Sequence, residues 1–493
     1  MHSTRCEEID ESNSADDRFH GLSRRFQNGG DMNRAKLLQG LQATVGEQGV
    51  VTLASDLEVY EKDWRDLFRG RAMYAVLPRN TQQVAAIVRQ CSDAGVAIVP
   101  HGGNTGLAGG ATPDASGRQI VLSLSRMNAI RGIDVAGETI EVEAGCILQV
   151  AQEAAAEKGL LLPVSLAAEG SAQIGGVVST NAGGTNVVRF GMARNRVLGL
   201  EVVTSDGAIV SGLRHLRKDN AGYDWKQWFI GTEGTLGIVT AAVLQLAPMP
   251  KFRVTALLAV LSAEDALQLL VTARQAMGEV VTGFELMSEA SLELVERHCG
   301  VKLPLGPSPW YVLLEASSSL PALREAVEDY LAEALEQGSA SNGVLAESER
   351  QEAELWSLRE SITEAESKEG RSVKHDVSVP ISSIPEFLRV AEEAIMRAHP
   401  GARINAFGHV GDGNVHYNVI VPPNTDADGL NRLVHDLVVS RGGSISAEHG
   451  IGQYRVNELM RCRANAELEL SRRIKRSLDP YNVLNPGKVL PLD

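Results

Sequence analysis

Two glycine-rich stretches near the C-terminus hold the residues best suited to chemistry. FGHVGDGNVH covers residues 407–416, and SAEHGIG covers residues 446–452. GDGN has the composition of a tight turn between two short strands, which predicts a hairpin that pairs His409 with His416. Directly opposed residues share one face of a hairpin, with Cβ atoms roughly 4.5–5.5 Å apart. Two imidazoles placed in this way can bind one cation.

Glu448 is the carboxylate expected to complete this cation site. Two histidines and one carboxylate leave coordination positions open for a substrate on Zn, Mn or Fe. A single histidine is more often structural than a ligand, but the facing pair beside an acid-histidine dipeptide favours the metal site. Asn418 is expected on the same strand face as His416. Asp412 is expected to form the turn, because Asp suits turns and points away from the paired face.

His449 follows the expected carboxylate ligand directly. A neutral imidazole beside a hydroxyl that a metal binds is a suitable general base near pH 7. The alternative is that His449 is a third metal histidine.

A third group of candidates lies in SLRESITEAESKEGRSVKHDVSVP, residues 357–380, which predicts a helix ending at Gly370 and then a strand. Arg359 and Thr363 are four residues apart and therefore share a helix face. Lys374 is expected in the strand. The three side chains could bind one carboxylate, the arginine through two parallel hydrogen bonds. Alternatively, Arg359 pairs with a neighbouring glutamate and Lys374 faces solvent.

A glycine-rich loop, HGGNTGLAGG, occupies residues 101–110. Its five glycines are too costly in conformational entropy to be filler. Such a loop can present successive backbone N–H groups to a phosphate. A plain tight turn is the alternative. The sequence contains neither G-x-G-x-x-G nor G-x-x-x-x-G-K-[ST], which disfavours a Rossmann site and an NTPase loop.

The surrounding elements must position these residues. A small β-α-β unit is predicted from the strand YAVLP, a helix with Thr81 as its N-cap and Gly95 just past its end, and the strands VAIVP and IVLSL. VAIVP leads into the glycine-rich loop. From about Arg253, strands alternate with long polar helices, which indicates an α+β domain with an antiparallel sheet. The final stretch predicts a helix followed by an Asn/Pro/Gly turn.

Composition excludes several classes of protein. The chain has 493 residues, which favours two or three domains. Its net charge of −15 argues against a general nucleic-acid or anionic-membrane binder. We find no apolar run near the roughly 18 residues that a spanning helix needs. The five scattered cysteines indicate reduced thiols and a cytoplasmic protein.

Four segments together resemble the vanillyl-alcohol-oxidase type of FAD-binding fold in their order and spacing. They are PHGGNTGLAGG, GSAQIGGVVSTNAGGTNVVRFG, NRVLGLEVVTSDG and GTEGTLGIVT. The resemblance implies an α+β protein with a two-subdomain FAD-binding domain, an α+β cap and non-covalent FAD. His101 is either a cofactor contact or a variable loop residue. The cofactor-binding residues that we expect are His101, Gly102, Gly103, Asn104, Thr105, Gly106, Gly109, Gly110, Ser165, Gly175, Gly176, Thr180, Asn181, Ile238 and Asn485.

Five further motifs resemble those of the FAD-linked D-2-hydroxyacid dehydrogenases. They are LRESITEA, KHDVSVP, GHVGDGNVHYN, AEHGIG and NPGKVLP. The resemblance implies metal binding by His409, His416 and Glu448, with Zn favoured over Mn, Co or Fe. It implies that His449 is the base, and that hydride passes from substrate C2 to flavin N5. It assigns substrate binding to Arg359, Thr363, Lys374, Asn418 and His449.

Lys374 favours a dicarboxylate such as D-2-hydroxyglutarate, because D-lactate and glycolate relatives often lack this lysine. D-malate, D-lactate and glycolate stay open as substrates. The expected electron acceptor is a carrier flavoprotein, a quinone or a cytochrome, and the expected assembly is a homodimer. An alkyl-transferring lyase or synthase on the same fold and a non-catalytic oxidase subunit are the rival classes.

These patterns also predict the domain boundaries. We expect a disordered extension, an FAD-binding domain, a cap with the metal site, and a C-terminal segment that returns to the FAD domain. Their predicted ranges are 1–36, 37–251, 252–456 and 457–493.

Overall fold

The computed structural model describes the chain from residue 30 to residue 492. Its first helix, Gly30–Val45, begins inside the predicted 1–36 extension, so that boundary is too late. Residues 1–29 of the predicted extension lie outside the described residues. None of the helices from residue 30 onward is both long and apolar enough to cross a bilayer.

The first sheet contains the predicted β-α-β unit. Its strands are β1 (Val50–Val51), β2 (Ala72–Val76), β3 (Ala97–His101) and β4 (Gln119–Ser123). Their order is β1-β2-β4-β3, and β4 runs parallel to both β2 and β3. The connecting helix Thr81–Ala94 is capped by the Asn80 side chain, which accepts from the Gln83 N–H, rather than by the predicted Thr81. It ends at Gly95 with φ 64°, a left-handed conformation that glycine adopts without steric cost.

The second sheet is antiparallel and has the order β5-β6-β10-β8-β9. Its strands are β5 (Ile130–Asp134), β6 (Thr139–Glu143), β8 (Val197–Val203), β9 (Ile209–Gly212) and β10 (Ile238–Gln245), and a separate two-stranded sheet holds β7 (Leu160–Leu161) and β11 (Ala247–Pro248). The glycine-containing helix Ile174–Ser179 packs on β10. Val203 and Ile238 join the hydrophobic core of the first sheet, so these two sheets form one continuous body.

The third sheet is the antiparallel sheet predicted after Arg253. Its strands are β12 (Phe252–Val260), β13 (Val281–Ser288), β14 (Trp310–Ser318), β15 (Asn342–Leu345), β16 (Ser372–Val373), β17 (Asp376–Ser378), β18 (Arg403–Gly408) and β19 (Asn414–Ile420). The order is β15-β12-β14-β13-β18-β19-β16, with β17 also on β19. Alternate residues of β12 belong to two different cores, with Leu258 on one face and Leu257 on the other. Burial on both faces explains the apolar run ALLAV, residues 256–260, in this strand.

Helices cover these sheets and connect them. Their bounds are Gly30–Val45, Ala54–Glu61, Thr81–Ala94, Leu148–Ala156, Ile174–Ser179, Val187–Phe190, Ala193–Arg196, Ala263–Met277, Glu289–Cys299, Leu323–Glu336, Glu349–Glu360, Ile362–Glu369, Ile384–Ala398, Ala427–Val439, Val456–Cys462 and Asn465–Leu478. After the last helix the chain returns to the first sheet, where Leu484 bridges Ile98 in parallel and Asn485 N–H donates to the Ile98 carbonyl.

Four cysteines lie within the described residues, and all are free thiols: Cys91, Cys146, Cys299 and Cys462. Burial raises the pKa of the Cys146 thiol to about 11.

Candidate active site

The glycine-rich loop leaves the end of β3 and lines a cleft with an empty volume of about 1030 Å³. Within the described part of the chain, none of the backbone N–H groups of residues 102–106 donates a hydrogen bond. Asn104 adopts a left-handed conformation with φ 54°, and its side-chain amide donates to the Lys62 carbonyl. A row of unpaired N–H groups fits an anionic diphosphate, and a Cβ added to Gly106 or Gly176 would meet only open space.

Most of the predicted cofactor residues line this cleft. They are His101, Gly102, Gly103, Asn104, Thr105, Gly106, Gly109, Gly110, Gly175, Gly176, Thr180 and Ile238. Ser165, Asn181 and Asn485 do not line it. Asn485 instead supports the loop, because its side-chain amide donates to the Gly110 carbonyl at 3.0 Å.

His101 is the buried last residue of β3 rather than a loop residue. Its Nδ1 lies 3.2 Å from the Ala111 carbonyl oxygen, and its ring packs edge-on against Tyr60. Burial lowers the pKa of His101, which favours the neutral ring.

The histidine hairpin forms with a different register from the predicted one. Phe407, not His409, pairs with His416, because β18 ends at Gly408 and the turn is longer than GDGN. The shift is two residues, so His409 stays on the same side as His416, and their ring centroids are 5.5 Å apart. The Asp412 carboxylate accepts from the Asn414 N–H inside this turn, as its predicted turn-forming role requires.

His409 is oriented by a buried carboxylate on the neighbouring strand β13. Its Nδ1 lies 2.5 Å from Glu285 Oε1, which leaves Nε2 free on the other side of the ring. Burial alone would lower the pKa of His409, but the Glu285 carboxylate outweighs it and raises the pKa to about 9. A histidine held at one nitrogen by a carboxylate is the usual arrangement of a metal-binding imidazole.

Glu448 completes the cluster. Its Oε1 lies 4.0 Å from His409 Nε2 and accepts from the Gly184 N–H at 2.7 Å. The donor atoms of His409, His416 and Glu448 all lie within 4.8 Å of one another. Ligands of a tetrahedral Zn²⁺ lie about 3.4 Å apart, so the three donor atoms are close enough to bind a divalent cation after small side-chain movements.

Asp376, in β17, joins the catalytic candidates. Its Oδ2 accepts from the backbone N–H groups of Glu448 and His449, both at 3.0 Å. The same oxygen lies 3.2 Å from His449 Nδ1, and Oδ1 lies 3.8 Å from His416 Nδ1. Burial would raise the pKa of Asp376, but the imidazoles of His449 and His416 hold it well below its usual range.

The predicted substrate helix is interrupted at Ser361, which separates the helices Glu349–Glu360 and Ile362–Glu369. Arg359 lies in the last turn of the first helix, and its Nε donates to Glu285 Oε2 at 2.7 Å, so this nitrogen pairs with a glutamate of β13. Its guanidinium also lies over the Phe407 ring at 4.7 Å. Thr363 is exposed in the second helix, and no hydrogen bond within the described range joins it to Arg359.

Lys374 lies between β16 and β17 rather than in a strand. Its Nζ is 3.5 Å from Oε1 of Glu366, a fully buried carboxylate. Asn418 shares this partner, since its side-chain amide donates to Glu366 Oε2 at 2.7 Å. Lys374 and Asn418 are therefore brought together through one carboxylate.

Sequence reasoning missed three of these acids, Glu285, Asp376 and Glu366. Glu285 had a signal, because it is one charged residue inside the apolar strand VTGFELMS. Asp376 lies inside the KHDVSVP motif. Glu366 carried no comparable signal, because acids are common on exposed helix faces.

The chain matches known protein families and named relatives over most of its length. Residues 72–212 match the model described as FAD binding domain, and residues 249–489 match FAD linked oxidases, C-terminal domain. A Bos taurus protein named D-2-hydroxyglutarate dehydrogenase, mitochondrial, is 39% identical over 446 residues, 90% of this chain and 81% of its own length. A Xanthomonas citri pv. viticola protein named D-2-hydroxyglutarate dehydrogenase is 39% identical over 457 residues, 91% and 96% of the two chains.

Two solved structures share the fold at low sequence identity. p-Cresol methylhydroxylase aligns with a TM-score of 0.71 at 15% identity, over 93% of this chain and 97% of its own. An alkyldihydroxyacetonephosphate synthase aligns with a TM-score of 0.70 at 15% identity, over 92% and 84%.

The fold is thus that of the vanillyl-alcohol-oxidase type of flavoprotein, and the matched FAD domains and the sequence relatives identify an FAD-dependent oxidoreductase. The expected α+β class is confirmed. The sequence relatives narrow the class further: the chain belongs to the FAD-linked D-2-hydroxyacid dehydrogenase family.

Proposed function

We propose that this enzyme oxidises D-2-hydroxyglutarate, or a closely related D-2-hydroxyacid, to the 2-oxoacid. One observation carries the proposal. His449 lines the same cleft as the glycine-rich loop and lies beside the cluster of His409, His416 and Glu448. A base, a cation site and the flavin cleft therefore meet in one place.

FAD would be held without a covalent bond by the loop from His101 to Gly110 and by the Gly175–Gly176 segment, and when bound it supplies the two-electron acceptor. A divalent cation on His409, His416 and Glu448, which we propose to be Zn, would supply Lewis-acid chemistry at the substrate oxygens. Mn, Co and Fe fit the same donor set.

His449 is the proposed base for the 2-hydroxyl proton. Its Nδ1 faces Asp376 Oδ2 at 3.2 Å, so Nε2 is the nitrogen left to accept the proton. Because Asp376 also binds the backbone N–H groups of Glu448 and His449, it fixes the base relative to the cation ligand.

Arg359, Thr363 and Lys374, together with Asn418, form the proposed substrate clamp. Arg359 uses Nε for Glu285, and within the described chain its two terminal nitrogens make no hydrogen bond. Those nitrogens can form the forked pair with a carboxylate. Lys374 provides a second cation for the distal carboxylate.

The decisive experiment is anaerobic flavin bleaching by a panel of D-2-hydroxyacids. We expect D-2-hydroxyglutarate to bleach the flavin with a higher kcat/KM than D-lactate or D-malate. A preference for D-lactate would contradict the proposed dicarboxylate substrate, but the chain would still belong to the same enzyme family. Absence of bleaching by every D-2-hydroxyacid would instead support a reaction without net substrate oxidation.

The assembly, acceptor and location are also proposals. We propose a homodimer that passes electrons to a carrier flavoprotein, a quinone or a cytochrome. We propose a cytoplasmic location from the free cysteines, although relatives such as the Bos taurus protein have mitochondrial names. Light scattering and acceptor assays of the purified enzyme test the first two points.

A further inference from the structure

Glu366 is a fully buried carboxylate whose two oxygens have different surroundings. Oε2 accepts from the side-chain amides of Asn405 and Asn418, both at 2.7 Å. Oε1 is buried and receives no hydrogen bond from the described residues. Among the described residues, Lys374 forms a salt bridge with Glu366, and its Nζ lies 3.5 Å from Oε1.

A buried carboxylate is costly unless a cation and hydrogen bonds compensate its charge. Lys374 is placed to provide that compensation, and its side chain stays 34% exposed. An ammonium group has three N–H donors, so one can face Glu366 while the others stay available on the exposed side of the residue. The lysine therefore needs the glutamate to hold it, and it keeps donors for a ligand.

The second clamp cation has the same arrangement. Arg359 donates its Nε to the buried Glu285 and keeps its terminal nitrogens free. Each of the two cationic side chains, Arg359 and Lys374, therefore pairs with a fully buried carboxylate. A side chain fixed before binding loses less rotamer entropy when the ligand arrives.

We propose that Glu366 is a positioning residue for the distal carboxylate of the substrate, acting through Lys374 and Asn418. The inference rests on the proposed dicarboxylate function. It adds that selectivity for a second carboxylate depends on a residue that does not touch the substrate.

The test is a double-mutant cycle with Glu366→Gln and Lys374→Met, measured with D-2-hydroxyglutarate and D-lactate. We expect Glu366→Gln to lower kcat/KM for D-2-hydroxyglutarate about tenfold, mainly through KM, and to change D-lactate turnover less than about twofold. In the Lys374→Met background the same change should have almost no effect, because the cation it positions is gone.

Glu315→Gln is the matched control. Glu315 is a buried carboxylate of the same sheet that binds Trp356 and Thr282 and lies outside the clamp. We expect it to leave the ratio of the two substrates unchanged. Glu366→Leu serves as a second variant of similar volume, and FAD content and the melting temperature are measured for each.

Equal losses on both substrates, a gain for the dicarboxylate, or a Glu366→Gln effect that persists without Lys374 would each overturn the inference. Loss of FAD or of the fold in both Glu366 variants would place Glu366 in the scaffold and would overturn it as well. A wild-type enzyme that prefers D-lactate would contradict the proposed function itself, which the wild-type kinetics reveal before any variant is made.

Discussion

At the residue scale, a substitution of His449 should affect proton transfer and leave substrate binding almost unchanged. A positioned base contributes about 10²–10⁴-fold to the rate. We expect His449→Ala to lower the rate of anaerobic flavin reduction by this amount while the dissociation constant of a substrate analogue changes little. Stopped-flow kinetics and analogue titration provide the two values. A variant that matches wild type throughout the neutral pH range would show that solvent can replace the imidazole.

Lys374 should determine which acid is preferred. D-2-hydroxyglutarate and D-lactate share the C1 carboxylate and the 2-hydroxyl, and only the first has a distal carboxylate. Hydrogen bonds to charged groups are worth about 1.5–3 kcal/mol, so Lys374→Met should lower kcat/KM for the dicarboxylate roughly ten- to a hundredfold. Steady-state assays with both acids measure this, and equal losses would place Lys374 at the shared C1 end.

The sequence pointed to the proposed metal ligands and not to the residues that orient them. His409, His416 and Glu448 were proposed as ligands because metals prefer imidazole and carboxylate and because glycines surround them, and the structure places the three side chains close together. Glu285 was not found, since it lies 124 residues before His409 and the sequence does not show that β13 borders the hairpin.

At the element scale, the hairpin shows why the register was missed. GDGN suggested that pairing continues to His409, but β18 stops at Gly408, where an added Cβ would lie 2.7 Å from the Asn414 carbonyl oxygen. The chain therefore leaves the ladder early. The period of two still kept both histidines on one side, so their rings lie close together although the predicted register was wrong.

The segment from Ser446 to Gly452 is held by a residue of another element. Glu233, with φ 53°, accepts from the Ile451 N–H at 2.7 Å and from the Gly452 N–H at 2.9 Å. Glu233→Ala leaves these two part-buried backbone donors without their partner, and each lost bond costs at most about 1–3 kcal/mol.

We therefore expect Glu233→Ala to weaken metal binding and turnover at least tenfold, because Glu448 lies in the freed segment. Metal content by elemental analysis and kcat check this result. Glu233→Gln, which keeps one acceptor oxygen, should lose less. Full metal content in the alanine variant would show that the hydrogen bonds of Glu448 with Asp376 and with the Gly184 N–H are sufficient to fix Glu448.

At the scale of the whole molecule, the flavin cleft and the proposed cation site are built from different parts of the chain. The cleft depends on the loop after β3 and on the helix Ile174–Ser179. We expect acid or heat to release FAD into the supernatant, because these segments offer backbone N–H groups and open space for a non-covalent ligand. Absorbance of the supernatant after precipitation measures the release. Flavin that stays with the pellet would mean a covalent bond.

The proposed cation site belongs mainly to the third sheet. The hairpin of β18 and β19 provides His409 and His416, and the loop after the helix Ala427–Val439 provides Glu448. It touches the other part of the molecule through the Gly184 N–H, which donates to Glu448. Because the diphosphate loop contributes none of these ligands, the cation and FAD should be removable independently.

We expect a chelator to abolish turnover without releasing FAD, and Zn, Mn or Co to restore it. His409→Ala and His416→Ala should behave like the chelated enzyme. Each substitution removes one of the two imidazoles in the set of His409, His416 and Glu448. His298→Ala is the matched control, since His298 pairs with Glu369 away from this cluster. Metal content, flavin absorbance and turnover are measured on the same samples. Full activity in enzyme shown to be metal-free would exclude the cation from the reaction and leave Arg359 and His449 to bind and deprotonate the substrate without it.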